Sequence, residues 1–124
     1  MRVESVFEVE QVRRAARALA DDIGFAQADA ESVVLAVSEL ATNLVRYAHG
    51  GRIELSRLDE PPGMQIESHD RGPGIDRLIE ALQDGYSTTD SLGSGLPAVR
   101  RLVDDFEAGT SPTGTWIVCR KWRH

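Results

Sequence analysis

The amino-acid sequence predicts an α+β protein: a two-layer sandwich in which a mixed, mostly antiparallel sheet carries its helices on one face. Two patterns lead there. Alternating apolar and polar residues mark "RIELSRL" (52–58) and "GMQIESHD" (63–70), which meet across the turn "DEPPG" with no helix between them. Helical spacing marks two long stretches before this pair, and a second alternating pair, "FEAGTS" and "TGTWIVCRKW", closes the chain. Strands that arrive as hairpins, instead of alternating with helices, pair antiparallel and can leave one face of the sheet open.

The elements follow in order. "VESVFEV" (3–9) alternates and is expected as a first strand. "EQVRRAARALADDIG" (10–24) repeats apolar residues at Val12, Ala15, Ala16, Leu19 and Ile23, and Gly24 suits a helix end. "DAESVVLAVSELATNLVRYAHGG" (29–51) predicts a longer helix capped by Asp29 or Ser32 and ended by Gly50. After the hairpin come a short helix, "DRLIEALQD" (76–84), and a polar loop, "GYSTTDSLGSG" (85–95). "LPAVRRLVDDF" (96–106) is a helix with Pro97 in its first turn, where a missing N–H costs little. Trp116 and Trp122 share parity on the closing strand, and one of them is expected in the core. Cys119 is expected as a small buried residue.

Length and composition narrow the chemistry. The 124 residues suggest one domain spanning 1–124. A net charge of −6 argues against a nucleic-acid or anionic-membrane binder, which needs a positive field to collect phosphates. A single nucleotide is still compatible, because backbone N–H groups and a metal ion can handle one phosphate chain locally. Lys121 is the only lysine, and no glycine is followed by Lys, so the phosphate-binding P-loop is excluded. One cysteine permits no internal disulfide and makes a thiolate zinc site improbable. No apolar run is long enough to span a membrane, and "MRVESVFEVE" lacks a signal-peptide core, so a cytoplasmic protein is expected.

Three segments carry candidate chemistry. Advancing about 100° per residue along the long helix, Val33, Val37, Leu40, Ala41, Leu44 and Ala48 form one apolar stripe. Glu39, Asn43 and Arg46 fall on the other side, so "ELATNLVR" sets a carboxylate, an amide and a guanidinium on one strip. Spacing alone is satisfied by a solvated helix face. With a nucleotide opposite, the Asn43 amide oxygen would suit Mg²⁺, and Glu39 could take a proton from an attacking hydroxyl. In "DRGPGI" (70–75), Asp70 leaves a strand as a pure hydrogen-bond acceptor, suited to an adenine amino group, while Gly72 and Gly74 clear room for a flat base. A plain turn is the competing reading. "GSGLPA" (93–98) formally fits a dinucleotide fingerprint, but it lacks the buried strand before it and the acid about 20 residues after it. What remains is glycines leading into a helix N-terminus, whose free N–H groups can face phosphate oxygens.

In this order the segments resemble the GHKL (Bergerat-fold) ATPase superfamily. "SELATN" is similar to its N-box, "DRGPGI" to its G1 box and "SLGSGLPAVRRL" to its G2 box, with Gly114–Thr115 similar to the last adenine contact. Within it, "SELATNLVRYA" and "GTWIVCRKWR" resemble the small bacterial serine/threonine kinases of the anti-sigma type, the RsbT group of stressosome switch kinases. The resemblance implies ATP and Mg²⁺ as cofactors, Glu39 as general base and Asn43 as metal ligand. It implies Asp70, Gly72, Gly74, Ile75 and Thr115 around the adenine, and Gly93, Ser94, Gly95 and Leu96 around the phosphates, with 85–94 as the ATP lid. The family often places a basic residue in the lid. This one holds no Lys or Arg, only uncharged polar residues such as Ser87, Thr88, Thr89 and Ser91 beside Asp90, so Arg46 or Arg100 is left to meet the γ-phosphate.

The implied acceptor is a serine or threonine of a STAS-domain antagonist, and the implied second partner of the freed kinase is a PP2C-type phosphatase. Two other functions share the ATP boxes. An anti-sigma factor would sequester a sigma factor. A sensor histidine kinase would need a phosphoryl-accepting His on a preceding helix, whereas His49, His69 and His124 sit at a helix end, a strand end and the terminus.

Overall fold

In the computed structural model, which describes residues 1–48, 50–71 and 96–124, helices lie on one face of a five-stranded sheet. The chain runs β1 (Arg2–Val3), α1 (Val6–Ile23), α2 (Gln27–Tyr47), β2 (Gly51–Asp59), β3 (Pro62–Asp70), α3 (Leu96–Leu102), β4 (Asp105–Ser111) and β5 (Gly114–Trp122). The sheet order is β1-β2-β3-β5-β4, and every described ladder is antiparallel. The α+β sandwich read from the pattern is thus the fold. The helix expected at 76–84 and the loop at 85–95 lie outside the described residues.

The expected first strand at 3–9 is corrected. Only Arg2 and Val3 pair with β2, and α1 begins at Val6. The Glu8 carboxylate explains the switch. It accepts the backbone N–H groups of Glu4 (2.9 Å) and Ser5 (2.8 Å) and the Ser5 hydroxyl (3.0 Å), which fixes a helix N-terminus where alternation suggested extended chain. Gly24 ends α1 at φ 94°, a left-handed conformation that glycine adopts without a Cβ penalty, and its N–H donates to Ala20 O and Asp21 O.

Expected boundaries shift elsewhere for local reasons. α2 starts two residues before the expected Asp29. Its N-cap is Ala26, Asp29 sits in the first turn facing Lys121 at 3.7 Å, and the Ser32 hydroxyl donates back to Ala28 O. The last helix stops at Leu102 because the Asp104 N–H is taken by Arg120 O and its carboxylate accepts the Trp122 N–H, drawing the chain into the sheet.

The core lies between the layers. Val12, Ala16, Ala20 and Ile23 of α1 meet Val33, Val37, Leu40 and Leu44 of α2, with Leu96 and Val99 of α3. Beneath them are Ile53, Met64, Ile66, Ile117 and Cys119, all of one sheet parity. The opposite parity holds both tryptophans, so neither is a core residue. Trp116 is 43% exposed, and Trp122 is half-buried with its indole N–H donating to Asp105.

Candidate functional site

The helix-facing side of the sheet turns polar at one end. Along β3 the residues Met64, Ile66 and Ser68 point under the helices, and Asp70, the last residue of the strand, continues that parity. Thr115 does the same as the second residue of β5. Ser68 and Thr115 are the buried polar side chains among the described residues, and both lie at this end. The Thr115 N–H donates to Asp70 Oδ1 at 3.2 Å, and its hydroxyl lies 3.0 Å from that of Thr110 on β4. The structure therefore joins two expected adenine contacts that are 45 residues apart in the chain.

Two glycines make the junction possible. A Cβ on Gly114 would collide with the Asp70 carbonyl oxygen, so only glycine lets β5 approach this strand end. Gly51 pairs with Asp70 across the β2–β3 ladder. A Cβ there would come within 2.8 Å of Leu44 Cδ2 and 3.2 Å of Asp70 Cβ. Leu44 follows Asn43, so α2 presses onto the sheet beside Asp70, and the amide-bearing turn of the helix belongs to the same end of the molecule. Sequence reading missed Gly51, Ser68 and Thr110. Gly51 was legible as a glycine opening a strand, whereas Ser68 and Thr110 carry no signal without the pairing.

On α2, Glu39 and Asn43 are half-buried, and neither makes a hydrogen bond or ion pair with another described residue. A polar strip at the edge of the core with unengaged groups differs from a helix face open to water. Arg46 is exposed on the same helix and is engaged. Leu96, at the first position of α3, has its side chain in the core at 1% exposure, which leaves only its backbone for a ligand. Gly72, Gly74, Ile75, Gly93, Ser94 and Gly95 lie outside the described residues. Arg100 is exposed on α3.

Cys119, buried between the layers, is pushed up to about 12 by desolvation, so its thiol stays protonated at neutral pH and has no nucleophilic part to play.

The profile of the histidine kinase-like ATPase domain matches residues 4–121 of this chain. The chain belongs to that family, the class that an α+β sandwich with a polar strand end under an acid–amide helix defines. Within it the chain is of the RsbT type: it is 34% identical over 125 residues to the serine/threonine-protein kinase RsbT of Bacillus subtilis (strain 168), a match covering 98% of this chain and 94% of that protein. It is accordingly a kinase, and its membership of an ATPase family carries the use of ATP. In fold it is similar to a chain of the SiaB–SiaC complex from Pseudomonas aeruginosa, with a TM-score of 0.68, 11% identity, and coverage of 96% of this chain and 85% of that one. No described helix is long and apolar enough to cross a membrane.

Proposed function

We propose that the protein transfers the γ-phosphoryl group of ATP to a serine or threonine hydroxyl of a STAS-domain antagonist, as the switch of a partner-switching pathway in the cytoplasm. The full-length similarity to a serine/threonine kinase supports the reaction class. The observation that carries the site is the Thr115 N–H to Asp70 bond beside α2, because it orients a carboxylate where an adenine amino group would be met.

Asp70 accepts from the adenine amino group, with Thr115 beside it. The glycines at 72, 74, 93 and 95, with Ile75, Ser94 and the Leu96 backbone, line the base and phosphates. Asn43 would hold Mg²⁺ together with phosphate oxygens. Its unengaged amide fits that ion, whose chemistry is to neutralise the phosphate charge. Glu39 takes the proton of the acceptor hydroxyl as the new oxygen–phosphorus bond forms and the bond to the leaving ADP oxygen breaks. Arg46 or Arg100 meets the γ-phosphate. Released from its antagonist, the protein binds and activates a PP2C-type phosphatase.

The test is incubation with labelled ATP, Mg²⁺ and candidate STAS-domain proteins, wild type against Glu39→Ala. Label should reach a serine or threonine of the acceptor, and the variant should lose roughly 10²–10⁴ in turnover while still binding ATP. Loss of ATP binding in step with turnover would remove Glu39 from the base role. Absence of label on every STAS protein, with phosphoryl transfer to another acceptor, would replace the substrate.

A further inference from the structure

The face of the sheet that no described helix covers carries an ordered row. Arg2 pairs with Arg52, Arg52 with His69, and His69 with Trp116, so four strands set these side chains side by side. Directly opposed residues of antiparallel strands share a face, and this row has the parity opposite to buried Ser68 and Thr115. Trp116 completes the row over Gly109 of β4. A Cβ there would collide with the indole, so the ring is seated on the sheet on one side and 43% exposed. At the basic end opens a cleft of about 590 Å³ that takes in Arg2, Arg52, Arg71 and His69 and, across the strand end, Glu4, Gly51 and the Asp70 of the candidate nucleotide site.

The arginines are not used up by the fold, whereas His69 Nε2 lies 3.4 Å from Glu67 Oε1 on the same strand. Arg71 makes no hydrogen bond or ion pair with another described residue. Arg2–Glu4 at 3.2 Å and Arg52–Glu54 at 3.3 Å are exposed pairs, which contribute little and exchange partners readily. Charge of this sign, gathered on a protein of net charge −6, calls for a local anionic counterpart. Arginines in one row with an exposed tryptophan are also a composition that protein interfaces favour. A row crossing four strands at about 4.8 Å spacing is too long for one phosphate and suits an extended segment. A nucleic acid would be repelled by the net charge.

We propose that this row is a docking surface for an acidic segment of a partner protein, its carboxylates along Arg2, Arg52 and Arg71 and one apolar side chain against Trp116. His69 and Trp116 are the chain neighbours of Asp70 and Thr115 but face the other way. The row's side chains thus face away from those of Asp70 and Thr115 on the same two strands, while the cleft at the strand ends reaches Asp70, and docking requires no ATP.

The test uses the full chain without nucleotide. The probe is a fluorescein-labelled peptide of six glutamates flanking one leucine, beside the same peptide with glutamines, read by anisotropy at low and high salt. The glutamate peptide should bind in a salt-sensitive way and the glutamine peptide should not. R52E and W116A should each weaken binding about tenfold, while R14E, on the exposed side of α1, should leave it unchanged. Arg52 is exposed, so R52E retains the fold and stands as the test should W116A unfold. Four outcomes overturn the proposal: no binding at low salt, equal weakening by R14E, displacement by inorganic phosphate at matched ionic strength (a small-anion site), or a dimer that R52E dissociates in sedimentation (a face covered by a second copy).

Discussion

At the residue scale, the bond from the Thr115 N–H to Asp70 decides how a conservative change will behave. An asparagine at 70 must keep its oxygen toward that N–H, because turning the amide would set two donors against each other. Its NH₂ group then faces the adenine amino group, again donor against donor. Asp70→Asn should therefore weaken ATP binding roughly tenfold to a hundredfold, the loss of a hydrogen bond to a charged group, with little change in thermal stability. Calorimetric titration with ATP checks this. An unaltered affinity would move the adenine away from Asp70.

At the element scale, α1 owes its early start to a single exposed side chain. The Glu8 carboxyl lies below its ordinary value of 4.5, chiefly through the bond from the Glu4 N–H and then that from the Ser5 hydroxyl. A carboxylate lowered on folding stabilises the protein above its unfolded pKa, and the contribution fades as pH falls through the lowered value. Glu8→Gln should therefore lower Tm slightly at pH 7, and the gap from wild type should close as pH drops below the ordinary glutamate range. Melting curves across that range check it, and a gap independent of pH would mean that the ionised form has no special role. The same element explains why residues 3–9 do not form the expected strand. Alternation in "VESVFEV" is genuine, but Ser-x-x-Glu lies within it, and a helix N-terminus with satisfied donors outweighs a short run of alternating residues.

At the scale of the whole molecule, the sheet is held from its middle. Ile66 is fully buried, pairs with Leu55 on one side and Cys119 on the other, and lies under the helical layer. Ile66→Ala should cost about 2–5 kcal/mol, read as a shift of the urea midpoint, because the neighbouring strands cannot collapse into the space. A shift below this range would mean that the layers relax over the gap.

The periodicities of the sequence were enough to determine the layers. Spacing of 3.6 separated Leu40 and Leu44 from Glu39 and Asn43, and alternation put Ile66 and Ser68 on one face, because both patterns are set by backbone geometry within a few residues. They also marked Asp70 and Thr115 as polar residues at strand ends. What only the tertiary structure decided was their meeting. β5 enters the sheet between β3 and β4, and that pairing joins residues far apart in the chain through Gly51 and Gly114, where a side chain would block the approach. Local pattern holds no record of which strand edge a later strand will choose, since that choice follows from how the helices and loops between them pack.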